Sequence, residues 1–211
     1  MRKICYIVGA GEDCGLDFVP HEEDLVIAAD GGYAKLQAVG IHPDLVIGDM
    51  DTLSEKMQAR YSSLIVKVEE QEHNDQTKAF RWALENIKGI SQIYILGATG
   101  EREDHTIGNI SLLMEYARTY DLDAMCITLE MVSDHSTIFA ITDTYEMECG
   151  EGRKVSIFSP DNSLRIKSEG LEWPTDGVVF DNWWKATLNK AVDDTVKLEF
   201  SHPSMALIIL D

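Results

Sequence analysis

The chain has 211 residues, 45% of them hydrophobic, enough to bury the core of one generous domain or two small ones. Its 18 Lys and Arg against 37 Asp and Glu leave a formal charge of −19, which excludes affinity built on neutralising a nucleic-acid backbone. A polyphosphate ligand would need a local cation or a metal ion to enter such a field, and Mg2+ would serve both purposes.

After Met1, Arg2 and Lys3 the apolar run 4–8 ends at Gly9, too short for a signal-peptide core, and no segment approaches 18 apolar residues, so no membrane insertion is expected. The runs 4–8, 25–29, 45–47, 64–68, 93–96 and 124–129 alternate with segments of helical spacing, the rhythm of βαβ units and a mostly parallel sheet with helices on both faces. Two helices are well marked. One spans 75–87 with Ala79, Ala83, Leu84 and Ile87 on a stripe; the other spans 104–120 with Ile107, Ile110, Leu113, Met114 and Ala117. Beyond about residue 135 the pattern changes to short β runs at 137–141, 145–147, 154–158, 164–166, 178–180, 196–200 and 206–210, separated by turns, which predicts an antiparallel β-sandwich. The expected division is therefore 1–132, an α/β domain, and 133–211, a sandwich.

Cys5, Cys14, Cys126 and Cys149 show no Cys-x-x-Cys pair and no zinc spacing, so they read as reduced, mostly buried side chains in a cytoplasmic protein. His21, His42, His135 and His202 show no partner spacing and read as loop or surface residues.

The polar clusters fall where the predicted strands end. Asp49 and Asp51, in Pro43-Asp44-Leu45-Val46-Ile47-Gly48-Asp49-Met50-Asp51-Thr52, leave the third strand two residues apart and so on the same side. Like charges that close disfavour ionisation of both, and a hard divalent cation relieves this; the plainer alternative is a helix cap at Asp51 or Ser54. Asp30-Gly31-Gly32-Tyr33 follows the second run, with glycines that would let a backbone approach phosphate or ribose. His73-Asn74-Asp75-Gln76-Thr77 opens the first marked helix, where Asp75 and Thr77 are candidates for metal or phosphate. Gly97-Ala98-Thr99-Gly100-Glu101-Arg102-Glu103-Asp104-His105 opens the second and adds a guanidinium fork. Each has an ordinary alternative as a glycine turn or Asx cap. Together they converge on one edge of one sheet, the place where open parallel sheets bind ligands. Gly9-Ala10-Gly11 approximates a dinucleotide fingerprint whose third glycine comes one residue late, so it reads as a phosphate-proximal loop at best; no P-loop is present.

Ala29-Asp30-Gly31-Gly32, the run 43–52, Asp75-Gln76-Thr77 and the run 97–105, in that order, resemble the thiamin pyrophosphokinase family, with Gly170-Leu171-Glu172-Trp173-Pro174 and Asn189 resembling its sandwich domain. The resemblance implies a homodimer that moves the diphosphate of ATP onto the hydroxyethyl oxygen of thiamine, releasing AMP, with Mg2+ between the phosphates and active sites shared across the subunit interface. It further implies that the α/β domain binds nucleotide and carries catalysis, while the sandwich binds thiamine and dimerises. Carried over by position, Asp49, Asp51 and Asp75 hold metal, and Asp30, Gly31, Gly32, Thr77 and Thr99 line the nucleotide and phosphate site. Arg102 meets phosphate oxygens, Asp104 and His105 lie over the nucleotide or the incoming hydroxyl, and Trp173 and Asn189 meet thiamine. Asp104 is a candidate general base or a helix cap. Trp173, Trp183 and Trp184 are candidates for stacking on a cationic ring or for core and dimer packing.

The chain departs from the family's pattern at Lys78, where Asp is usual, at His73, at Glu101 beside Arg102, and at Leu188, where Ser precedes the Asn. These departures bear on the number of metal ions and on the acceptor. Two further functions fit the same residues: transfer of phosphate or diphosphate to another heteroaromatic alcohol, and a nucleotide-binding sensor without turnover.

Overall fold

The computed structural model describes residues 3–12, 15–50, 58–59 and 62–211. Two compact units form, one from residues 1–112 and 122–135, the other from 113–121 and 136–211.

In the first unit, β1 (Lys3–Val8), β2 (Leu25–Ala29), β3 (Leu45–Gly48), β4 (Ile65–Lys67), β5 (Ile90–Leu96) and β6 (Thr128–Val132) pair in the order β6-β5-β1-β2-β3-β4, every neighbour parallel. Its helices among the described residues are α1 (Gly32–Ala38), α2 (Asp75–Asn86) and the first part of α3 (Glu103–Thr119), whose residues from 113 on are counted with the second unit. Tyr6, Val8, Val26, Ala28 and Val46 share one core with Tyr33 and Leu36 of α1. The pleat therefore turns Ile7, Ile27 and Ile47 to the opposite face, where α2 packs across β1, β2 and β3 with Ala79, Phe80 and Ala83 fully buried. A β-carbon on Gly32 would collide with the Val8 carbonyl. That glycine lets α1 start hard against the end of β1, so its lack of a side chain serves backbone packing rather than ligand approach.

The second unit contains β7 (Thr137–Ile141), β8 (Tyr145–Glu148), β9 (Lys154–Phe158), β10 (Ile166–Glu169), β11 (Ala186–Lys190), β12 (Thr195–Phe200) and β13 (Ala206–Leu210). Its antiparallel neighbours run β11-β9-β13-β7 and β10-β12-β8. Val155, Ile157 and Ile208 from the first set meet Ile166, Val196 and Leu198 from the second in a single apolar cluster, which makes the unit a sandwich.

Several elements differ from the sequence reading. The strand expected at 124–129 lies at Thr128–Val132, because Asp123 and Leu122 accept from Cys126 and Ile127 in a turn with Cys126 at φ +56°. Residues 178–180 form no ladder; the Val178 N–H donates to Thr175 in a turn, and Phe180 is buried without being in a strand. The strand Ala186–Lys190 was not expected, since its Leu188 stands 78% exposed at φ +60° in a bulge and breaks the alternation. Phe80 rather than Leu84 is the buried anchor of α2, and Ile107, expected on the apolar stripe of α3, is exposed. Cys5 and Cys149 are buried free thiols and Cys126 is exposed; burial pushes the Cys5 thiol up to about 12. No helix among the described residues is long and apolar enough to cross a membrane.

Candidate active site

Strand order reverses at β1, whose neighbours are β2 on one side and β5 on the other, so the loops leaving β1 and β5 part there and open a crevice at the carboxyl ends. A cavity of about 490 Å3 occupies it, lined by Gly9-Ala10-Gly11 after β1, Asp30 and Gly31 after β2, Gly97-Ala98-Thr99 after β5, and Asn74, Asp75 and Gln76 at the start of α2. Glu101, Arg102, His105 and Asn109 complete the wall. The two glycine loops are bound to each other: Gly9 N–H donates to Leu96 at 2.8 Å and Gly11 N–H to Gly97 at 2.7 Å. Residues 9–11 thus border the cavity as part of a double loop, not as a dinucleotide fingerprint.

At the ends of β2 and β3 three carboxylates meet. Asp30, Asp49 and Asp75 each present an oxygen within 4.8 Å of the others'. Asp30 is buried, and its N–H donates to Ile47 at 2.8 Å, tying the end of β2 to β3. Between them lies Gly48, at φ +155°, where a β-carbon would sit 2.9 Å from Asp30 Cβ and 3.2 Å from Asp75 Cγ and Oδ1. Only glycine leaves that space. Gln71 Nε2 donates to Asp49 Oδ2 at 3.2 Å, and Lys78 Nζ lies 3.1 Å from Asp75 Oδ1. Asn74 caps α2 by accepting from the Thr77 N–H at 3.0 Å, which sets Asp75 in the first turn. Asn109 of α3 holds the arrangement from behind: its Oδ1 accepts from Asn74 at 2.8 Å, its carbonyl from Gln76 at 3.3 Å, and its Nδ2 donates to Ala98 at 2.9 Å. Three carboxylates this close suit a hard divalent cation with oxygen ligands, and the empty Cβ position at Gly48 is what lets them gather.

Of the expected metal ligands, Asp49 and Asp75 are brought together; Asp51 lies outside the described residues. Asp30, expected at the nucleotide, stands in the carboxylate group as well as on the cavity wall. Thr99 is buried on that wall, whereas Thr77 is buried within the first turn of α2 and does not line it. Gly31 lines the cavity and Gly32 does not. Lys78, whose place in the sequence bears on charge neutralisation and on the number of metal ions, stands against Asp75, whereas Asn109 carries no local signal that marks it as a site-builder.

On the far wall Arg102 grips Asp104 with both sides of its fork, Nε to Oδ1 at 3.1 Å and Nη2 to Oδ2 at 2.6 Å. Both side chains are largely exposed. The Arg102 hydrogen bond, followed by the His105 N–H, holds the Asp104 carboxyl below its ordinary range, and Asp104 in turn holds the guanidinium above its own. Asp104 is thereby a weaker base than a lone aspartate, and it lies inside the first turn of α3 rather than at its cap.

In the second unit Asn189 is buried with its amide engaged: Oδ1 accepts from the Trp173 N–H at 3.2 Å and the Lys190 N–H at 2.8 Å, and Nδ2 donates to the Trp173 carbonyl at 2.7 Å. It fixes the loop that carries Trp173. A cavity of about 250 Å3 lies beside that loop, lined by Trp173, Thr175, Lys185, Leu188 and Asn189 among others. Trp173, Trp183 and Trp184 are all about half exposed, so none of the three is a core residue of this unit.

Residues 19–125 match the family model described as thiamin pyrophosphokinase, catalytic domain, and residues 137–205 that of its substrate-binding domain. The chain is 33% identical over 182 residues to the thiamine pyrophosphokinase of Bacillus subtilis (strain 168), covering 82% of each. It is 26% identical over 173 residues to thiamine pyrophosphokinase 1 of Oryza sativa subsp. japonica, covering 74% of this chain and 62% of that one. Among solved structures, thiamine pyrophosphokinase from Bacillus subtilis superposes with a TM-score of 0.80 at 23% identity, covering 100% of this chain and 99% of that one. Thiamin pyrophosphokinase from Geobacillus thermodenitrificans gives 0.79 at 24%, covering 99% and 97%. At such identities these two structures speak for the fold.

Proposed function

This chain belongs to the thiamin pyrophosphokinase family, and we infer that it transfers the diphosphate of ATP to the hydroxyethyl group of thiamine, forming thiamine diphosphate and AMP. The thiamine hydroxyl oxygen bonds to the β-phosphorus, the bond from that phosphorus to the α–β bridging oxygen breaks, and AMP leaves with that oxygen while the hydroxyl proton is released. The demand on the protein is positioning and charge balance more than covalent chemistry.

The observation that carries this reading is the carboxylate group beside the switch-point cavity. Asp30, Asp49 and Asp75 are the proposed ligands of Mg2+, with Asp51 assigned to the same shell from the resemblance alone; the ion supplies neutralisation of the diphosphate under transfer. Arg102 offers the Nη1 side of its guanidinium to phosphate oxygens, and Asp104, holding the Nε and Nη2 side, orients it rather than taking the proton. Thr99, Gly31 and His105 line the path of the nucleotide, and the Thr77 N–H donates to the Asn74 cap that sets Asp75 at the start of α2. We assign nucleotide binding and catalysis to 1–132, and thiamine binding and dimerisation to 133–211, where exposed Trp173 offers a face to a cationic ring and Asn189 sets its loop. A homodimer with active sites at the subunit interface follows from the same assignment, and free buried thiols support a cytoplasmic setting.

Purified protein incubated with ATP, thiamine and Mg2+ should yield AMP and thiamine diphosphate in equal amounts by liquid chromatography. Release of ADP or of no AMP would overturn the reading.

A further inference from the structure

We propose that Lys78 is a built-in counter-charge of the carboxylate group, a positioning residue that holds Asp75 and limits the group to one divalent cation. The proposal rests on reading Asp30, Asp49 and Asp75 as a metal site. Lys78 stands one turn after Asp75 on α2, and its side chain is 3% exposed. Its Nζ lies 3.1 Å from Asp75 Oδ1, the same oxygen that abuts the vacant Cβ position of Gly48. The helix cannot slide to change that distance, because Ala79 and Phe80, the next two residues, are fully buried and α2 packs across β1, β2 and β3.

Charge arithmetic gives the consequence. Among the described residues three ionised carboxylates carry −3, the ammonium brings them to −2 and one divalent cation to zero; with Asp51, assigned to the same shell, the total is −1, and a second divalent ion would make it +1. A second divalent ion would leave a net positive charge beside a buried ammonium, an arrangement that a low-dielectric site resists. Removing the ammonium restores the third negative charge and draws a cation in more strongly, whereas an ordinary structural lysine would leave cation affinity where it was.

The test titrates Mn2+ alone into the full-length protein without nucleotide, followed by calorimetry and by the electron paramagnetic resonance signal of free Mn2+. Wild type should take one ion per chain. Lys78→Met should take one ion roughly tenfold or more tightly, since a unit charge in contact range of the site is removed. Lys78→Asp should take two, and Lys78→Arg should match wild type. Because the substitution alters a part-buried ion pair, circular dichroism with and without Mn2+ accompanies each variant, and Lys78→Gln serves if the methionine variant does not fold. One ion bound with equal affinity by wild type and by the methionine or glutamine variant overturns the role of Lys78 and leaves the metal site standing. No ion bound by any variant overturns the metal site itself, and the proposal with it.

Discussion

Each unit carries a centre built on aspartate, and the two are made in opposite ways. In the sandwich, Asp161 is ringed by donors: Ser163 Oγ at 2.6 Å, Ser204 Oγ at 2.7 Å, the Ser163 N–H at 2.8 Å and His202 Nε2 at 3.2 Å. Those donors, Ser163 first and Ser204 next, hold its carboxyl well below the usual range. In the parallel unit, Asp30, Asp49 and Asp75 face one another, with Lys78 against Asp75 and Gln71 against Asp49. A carboxylate surrounded by donors is finished structure. Carboxylates turned toward each other are stable only when something positive completes them, and that difference separates a turn-knitting aspartate from a site.

The sharpest way to break the comparison is to neutralise one member of each. Asp49→Asn should cut the rate of thiamine diphosphate formation by roughly a thousandfold, the scale of a lost electrostatic contact to a transferring group, with an unchanged or raised melting temperature because repulsion falls. An Asp49→Asn enzyme of normal rate would place the site elsewhere. Next comes the support beneath it. Phe80→Ala should cost about 3–5 kcal/mol of unfolding free energy in urea, because the side chain is fully buried under α2, and the rate should fall with it as Asp75 loses its register. Smallest is Asp161→Ala, expected to cost about 1–2 kcal/mol with the rate intact. The Asp161 carboxyl is held below its unfolded value of about 3.9, so its contribution is complete above that pH and fades as the pH drops beneath it. Melting curves of wild type and Asp161→Ala should therefore differ by the same margin from pH 7 to pH 5 and converge below pH 4; a constant gap down to pH 3 would mean that the carboxylate's charge is not what the loop uses.

Much of this was legible in the letters. Period and run length gave the parallel unit, the sandwich and the two long helices, because burial on both faces of a strand or on one stripe of a helix leaves a local signature. Asp49, Asp75, Arg102 and the cavity-lining loops were legible as polar residues at strand ends. What escaped depends on distance in space rather than along the chain. Asp30 joins the carboxylates through the close approach of two strand ends at Gly48, the reach of Lys78 is set by how α2 beds on the sheet, and Asn109 gathers three segments that no local pattern connects. The misread strands have the same origin: Phe180 is apolar because it is buried outside any strand, and Leu188 is apolar yet exposed at a bulge. His202, read as a loop residue without a partner, finds Asp161 41 positions away.

The vacant Cβ position at Gly48 has a consequence for how this gene can drift. Every glycine codon mutates, by any single missense change, to a residue that bears a β-carbon, so each such change thrusts an atom between Asp30 and Asp75. Residue 48 carries no charge, donor or nucleophile, yet purifying selection should bear on it as heavily as on the aspartates it lets meet.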